Sequence, residues 1–257
     1  MKKLSIVLIL LILTSCGSSK KGNFQTANFA KKHQILEEEW LDSTRNRLVP
    51  VAFYLPKNKE TYTNAPIVII SHGYNRNVPG TNKAYSYFAE NLALQNYFVV
   101  SIQHELPTDD ELPMTGNVQE TRKPFWERGA ENIAFVIKTL KAKYPQLDYN
   151  KIILLGHSNG GDMSVLFTVK HPNLVYKLIT LDHRRMVIPR VKSPQILSLR
   201  SSDQLADEGI LPTEDEQINL GIKIIKLPTT IHNEMNDGAN EEQKKEMWNY
   251  ILTFIKE

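Results

Sequence analysis

An unbroken aliphatic run, Ile152-Ile153-Leu154-Leu155, leads directly into Gly156-His157-Ser158-Asn159-Gly160-Gly161. This junction constrains the fold more than any other part of the chain. Four consecutive branched aliphatic residues suit a strand covered on both faces, as in a parallel sheet. The Gly-x-Ser-x-Gly that follows demands a sharp bend at the strand end. Gly156 and Gly160 leave room for close backbone approach, so that Ser158 projects its hydroxyl clear of the sheet. The stretch from Asp162 to Lys170 is competent to form a helix, which completes the strand–turn–helix context the pattern needs. A serine held on such a strained bend is a candidate nucleophile at Ser158.

The N-terminal residues read as an export signal: Lys2 and Lys3 form the charged start, Leu4 to Leu13 the apolar run, and Leu13-Thr14-Ser15-Cys16 the processing site. The apolar run is too short for a comfortable transmembrane helix. The Leu-Thr-Ser-Cys ending resembles a bacterial lipobox, which implies cleavage before Cys16 and lipidation of its thiol. Residues 1–15 are therefore expected to be a lipoprotein signal peptide and residues 16–33 a flexible tether, with the folded domain at residues 34–257. Localisation follows as a cell-envelope protein, exported and lipid-anchored to a bacterial membrane. Cys16 is the single cysteine, which excludes an intramolecular disulfide. The net charge is +3, and without Lys2 and Lys3 the chain has 29 basic and 28 acidic residues. That balance is too small to suggest nucleic acid, and no nucleic-acid partner is expected.

Beyond the tether, strands and helices alternate. Glu37 to Leu41 and Leu48 to Leu55 read as an antiparallel pair across a turn-rich connector. Strands are expected at Pro66 to Ser71, Phe98 to Ile102, Lys151 to Leu155, Tyr176 to Leu181, Gln195 to Leu199 and Ile222 to Leu227, the last three buried. Helices are expected at Asn82 to Gln95, Pro124 to Lys141, from Ser158 onward, and Glu241 to Ile255, whose inner face is Met247, Trp248, Ile251, Phe254 and Ile255. The alternation defines an α/β protein with a mostly parallel sheet, whose site lies beyond the carboxyl ends of the strands.

A serine hydroxyl needs a base to remove its proton and a carboxylate to orient that base. Three histidines follow Ser158: His171 at the far end of the elbow helix, His183 just after a strand, and His232 in the loop between the last strand and the last helix. Three aspartates compete for the acid: Asp203 in Leu-Arg-Ser-Ser-Asp, Asp182 at the end of the preceding strand, and Asp207 further along the loop of Asp203. Arg184, Arg185 and Arg200 are near enough in sequence to hold one of these ionised. The backbone N–H of Asn159 is one expected donor to a developing oxyanion. The second is that of Tyr74, in Ser-His-Gly-Tyr-Asn after the strand Ile67–Ser71. His72, His104 and His157 read as supporting residues. No metal or other cofactor is expected, since the nearest grouping, His104-Glu105, is a single pair.

The His-Gly-Tyr loop, the Gly-His-Ser-Asn-Gly elbow, the aspartates after strands and the late His232 together resemble the α/β-hydrolase superfamily over residues 35–257. The opening Asp-Ser-Thr-Arg-Asn-Arg-Leu-Val-Pro-Val and the Arg128-centred helix look like the branch of dienelactone hydrolases and platelet-activating-factor acetylhydrolases. The resemblance implies an α/β-hydrolase fold and cleavage of carboxylic esters through an acyl-enzyme, with Ser158 as nucleophile, His232 as base and Asp203 as acid. The acetylhydrolase branch takes its acid from the position of Asp182. A serine in place of the usual cysteine argues against a dienelactone substrate. Only Asp182 to Pro194 separates two strands where many relatives insert a cap, so no large cap is expected. The excursion from His104 to Lys123 is expected to overhang the cleft as a polar flap, with Asp109, Asp110 and Glu111 as a solvated acidic loop. A small-molecule or lipid ester is the expected substrate. An acyltransferase or peptidase with the same triad, and a non-catalytic envelope lipoprotein, are the competing readings.

Overall fold

The computed structural model describes residues 35–57 and 62–257. The expected signal peptide, the tether to residue 33 and Cys16 lie outside the described residues. Two antiparallel strands open the sheet, β1 (Leu36–Asp42) and β2 (Arg47–Tyr54), joined by a turn in which Asn46 takes a φ of 48°. Asparagine tolerates this left-handed conformation better than most residues. There follow β3 (Pro66–Ser71), α1 (Ser86–Leu94), β4 (Phe98–Ile102), α2 (Val118–Thr121), α3 (Lys123–Lys143), β5 (Asp148–His157) and α4 (Ser158–Lys170). The chain continues through β6 (Lys177–Leu181), β7 (Gln195–Arg200), α5 (Glu214–Leu220), β8 (Lys223–Lys226) and α6 (Glu241–Lys256).

The strands form one sheet in the order β1-β2-β4-β3-β5-β6-β7-β8. β2 is antiparallel to both of its neighbours, and every pairing from β4 to β8 is parallel. The aliphatic runs are the covered middle of this sheet: Ile67, Val68, Ile69 and Ile70 of β3 are fully buried. Each contributes on the order of 1.5–3 kcal/mol by leaving water. On one face Ile67, Ile69, Ile152 and Leu154 pack with Ile133, Val136 and Leu140 of α3 and with Val165 and Phe167 of α4. On the other, Val68, Ile70, Ile153 and Leu155 meet Phe88 and Leu92 of α1 and Met247, Ile251 and Phe254 of α6. Because β3 to β8 run the same way, their carboxyl ends collect on one side, and the loops that leave them form one cluster.

Several expectations shift. The helix expected from Asn82 begins at Ser86, after a short 3-10 turn at Thr81–Lys83. β5 extends well beyond Lys151 to Leu155 in both directions. The strand expected as buried at Ile222 to Leu227 is instead the edge strand β8, with Lys223 and Lys226 exposed and Ile224 and Ile225 half-buried. Its place at the end of the sheet order leaves one side without a neighbouring strand among the described residues. The helices α2 and α5 were not expected. α5 is capped by a reciprocal box, in which Glu216 N donates to Thr213 Oγ1 and Glu216 accepts from the Thr213 N–H.

Candidate active site

Ser158 occupies the bend between β5 and α4 with a φ of 50°, in the left-handed region that a side chain makes costly. Close packing holds it there. A Cβ on Gly160 would collide with the carbonyl oxygens of Ser71 and His72, and one on Gly156 would meet the Gly160 carbonyl. The elbow therefore nests directly on the loop after β3. From this position Ser158 Oγ lies 2.9 Å from His232 Nε2, and His232 Nδ1 lies 2.5 Å from Asp182 Oδ2. With Nδ1–H donating to the carboxylate, Nε2 is the acceptor for the serine proton. The three residues come from the ends of β5, β6 and the loop after β8.

The carboxylate on the imidazole is thus Asp182, and the expectation of Asp203 is corrected. Asp203 Oδ1 instead accepts from the backbone N–H of His232 at 2.7 Å, so it braces the loop and does not touch the ring. Asp207 is further removed and pairs with Arg185. Asp182 is fully buried at the end of β6, and its own φ of 51° turns the side chain toward His232. Burial opposes its ionisation, but the His232 ring, the Arg200 guanidinium at 2.8 Å and the N–H and O–H of Ser201 outweigh that cost and bring its pKa down to about 2. Arg200 Nη1 also donates to the His183 carbonyl at 2.6 Å. His183 itself is buried against Thr180 and the Met186 carbonyl and takes no part in the relay.

The other histidines support the loops. His157 Nε2 donates to the His232 carbonyl at 3.1 Å, while its Nδ1 accepts from the Tyr85 hydroxyl at 2.7 Å. Tyr85 in turn accepts from the Gly73 N–H at 3.0 Å, so one chain of bonds ties the histidine loop to the loop after β3. Burial, then the nearby His232, push the His157 pKa down to about 3, which keeps the ring neutral. Tyr85 shows in the sequence only as an apolar-face residue, and nothing there signals its hydroxyl. His72 donates from Nδ1 to the Gly73 carbonyl and accepts the His104 N–H at Nε2, at 2.8 and 3.0 Å.

Asn159, next to the nucleophile, is clamped by its side chain. Trp126 Nε1 of α3 donates to Asn159 Oδ1 at 2.8 Å, and Asn159 Nδ2 donates to Glu105 Oε1 at 3.1 Å. Burial raises the Glu105 carboxyl above the ordinary glutamate range, against the opposing pull of Arg128 and the bond from Asn159. Tyr74 lines the cleft beside Ser158, and its hydroxyl accepts the Leu112 N–H at 3.1 Å. That bond ties the flap to the loop after β3. The flap is further pinned by Asp109, which takes two bonds from Arg47 at 2.7 and 2.8 Å and the Leu106 N–H at 2.8 Å. Asp109 is therefore an anchor and not part of a solvated acidic loop.

The cleft over Ser158 and His232 has a volume of about 200 Å³, with Leu112 and Met114 of the flap among its lining residues. Arg122, Arg184 and Arg185 line it as well. The turn that carries Arg184 and Arg185 is held by Asp162 of α4, whose Oδ1 accepts the N–H groups of Arg185 and Met186, both at 2.9 Å. Burial raises the Asp162 carboxyl to about 6, in spite of these bonds. A larger hollow of about 430 Å³ lies between Thr229 and the start of α6, and none of the groups described above lines it.

An eight-stranded, mostly parallel sheet with a serine on its central strand–helix bend is the α/β-hydrolase fold. The BD-FAE family model matches residues 51–186, just over half of the 257 residues, and the chain belongs to that family. Among solved structures, a thermostable esterase matches at 19% identity with a TM-score of 0.57, over 83% of this chain and 62% of its own length. Esterase 2 of the planctomycete Thermogutta terrifontis, with butyrate bound, matches at 12% identity and a TM-score of 0.61, over 85% of this chain and 94% of the other. An esterase of the fungus Rhizomucor miehei matches at 11% identity and a TM-score of 0.61, over 87% and 83% of the two chains. At these identities the likeness is one of fold. No curated protein sequence matches the chain.

Proposed function

We propose that the protein is a serine hydrolase that cleaves carboxylic esters through an acyl-enzyme intermediate. One observation carries this reading: the unbroken relay from Ser158 Oγ to His232 at 2.9 Å and from His232 to Asp182 at 2.5 Å, set on a strained elbow in a cleft. Ser158 attacks the ester carbonyl while His232 Nε2 takes its proton. The imidazolium that forms is stabilised by Asp182, whose charge Arg200 and Ser201 hold in place. The N–H groups of Asn159 and Tyr74 receive the developing oxyanion, each worth on the order of 10²–10³-fold in rate. His232 then passes its proton to the leaving alkoxide, and the alcohol departs. Water, deprotonated by the same nitrogen, attacks the acyl-serine and releases the acid with Ser158 restored.

A cleft of about 200 Å³ favours an acyl group of modest length. The test is hydrolysis of 4-nitrophenyl esters from acetyl to decanoyl by the wild type and Ser158→Ala. Turnover of the short esters, lost in the variant, is expected; full turnover by Ser158→Ala would overturn the reading. We also propose that the domain acts at the cell envelope, exported and tethered through a lipid on Cys16, on the strength of Leu13-Thr14-Ser15-Cys16. Metabolic labelling with an alkyne fatty acid checks this: label that persists in Cys16→Ser contradicts it.

A further inference from the structure

We infer that the ester substrate bears an anionic group, a carboxylate or a phosphate, received by Arg122 and Arg184 beside Ser158. The inference rests on the hydrolase reading and narrows its substrate class. Among the described residues, eight arginines are wholly or partly covered by the fold. Six of them face a carboxylate: Arg45 on Asp42, Arg47 and Arg128 on Asp109, Arg185 on Asp207, Arg190 on Glu216 and Arg200 on Asp182. The two without one are Arg122 and Arg184, and both line the cleft of Ser158 and His232.

Arg122 is held in place by neutral groups, with Nε donating to the Pro113 carbonyl at 2.9 Å and Nη2 reaching Met114 Sδ at 3.5 Å. The Arg184 side chain has no hydrogen-bond or ion-pair partner among the described residues. Asp162, the carboxylate that shares the cleft lining, is engaged by the N–H groups of Arg185 and Met186. Burial first, then repulsion from Arg185 and Arg184, outweighs the attraction of Asp162 and Asp207 and lowers the Arg122 pKa below the usual arginine value. Three guanidinium groups and a single carboxylate, Asp162, line the small cleft among the described residues, and a bound anion relieves this excess of positive charge. The flat fork of a guanidinium matches the oxygens of a carboxylate or phosphate.

The test compares matched esters at low salt, with one member of each set anionic. On the acyl side the pair is mono-4-nitrophenyl succinate and 4-nitrophenyl pentanoate. On the alcohol side 3-acetoxybenzoate and 3-acetoxyphenyl phosphate are set against neutral 3-acetoxybenzamide, which also separates carboxylate from phosphate. An anionic member is expected to be preferred roughly tenfold in kcat/KM, the worth of one charge-assisted hydrogen bond. The preference is expected to shrink in about 0.5 M NaCl through screening, and to fall in Arg184→Gln and Arg122→Gln. Reading the ratio within each variant cancels any loss of folded protein. Turnover of neutral esters with no anionic preference on either side overturns this inference alone, as does a preference that survives both substitutions. Absence of turnover for every ester overturns the hydrolase reading, and the inference falls with it.

Discussion

Replacing Asp182 by Asn separates the two candidate acids most sharply. The substitution keeps the shape at the end of β6 but offers His232 Nδ1 a neutral amide in place of the carboxylate 2.5 Å away. An amide NH₂ facing that nitrogen favours the tautomer with the proton on Nε2, where it cannot accept from Ser158. The equivalent change in serine triads lowers kcat by about 10⁴-fold, so a loss on the order of 10³–10⁴-fold is expected, or about 4–5.5 kcal/mol of barrier. Stability should fall too. The Asp182 carboxyl lies at about 2 against an ordinary 3.8, a difference worth about 2 kcal/mol, and its removal leaves Arg200 buried without its counter-charge. Asp203→Asn is the control. Its side-chain oxygen can still accept from the His232 N–H, a bond of 2.7 Å, so kcat should change by no more than about threefold, since a neutral acceptor gives up only part of a hydrogen bond's net worth. The assay is kcat on 4-nitrophenyl butyrate, alongside urea melts to count folded enzyme. If folded Asp182→Asn keeps within tenfold of wild-type kcat, or Asp203→Asn is equally inactive, the assignment of the acid fails.

Three further outcomes follow from the packing around the elbow. Glu105→Ala frees the Asn159 amide and should lower kcat about tenfold with KM unchanged, the worth of a charge-assisted bond; Glu105→Gln keeps the acceptor and should restore most of the rate, as steady-state kinetics will show. Gly160→Ala should lose at least about 1–3 kcal/mol of stability by overpacking against the carbonyls of Ser71 and His72; a thermal melt indistinguishable from wild type would contradict this. In acid, the Asp182 contribution is fully present above about pH 4 and lost as pH falls through its folded value of about 2, a fall of about 2 kcal/mol. Urea titrations should show Asp182→Asn escaping that loss, while buried Asp162, raised to about 6, acts in the opposite sense and favours folding as pH drops from about 6 toward 4.

The features legible in the sequence are those with local causes. The Gly-His-Ser-Asn-Gly bend follows from glycines where a Cβ would meet backbone, and the covered strands follow from runs such as Ile67 to Ile70. His232 was traceable because chain order and loop position narrow the choice. The acid was not, since Asp182 and Asp203 end adjacent parallel strands and both reach His232. One touches the ring and the other the backbone. What separates them is the positive φ of Asp182 and the burial of Arg200 beneath it, neither of which a residue string encodes. The roles of Tyr85, Trp126 and Glu105 depend on contacts 33 to 72 residues apart and carry no local pattern. α5 was different: Thr213-Glu214-Asp215-Glu216 is a capping box that could have been read directly.

The most direct test of the central claim is reaction of the purified domain with a fluorophosphonate probe, followed by peptide mass spectrometry. The relay at the elbow predicts a single stoichiometric adduct on Ser158, absent from Ser158→Ala and strongly slowed in Asp182→Asn. Ester hydrolysis that continues while Ser158 stays unlabelled, or an adduct on another serine that abolishes it, would contradict the account.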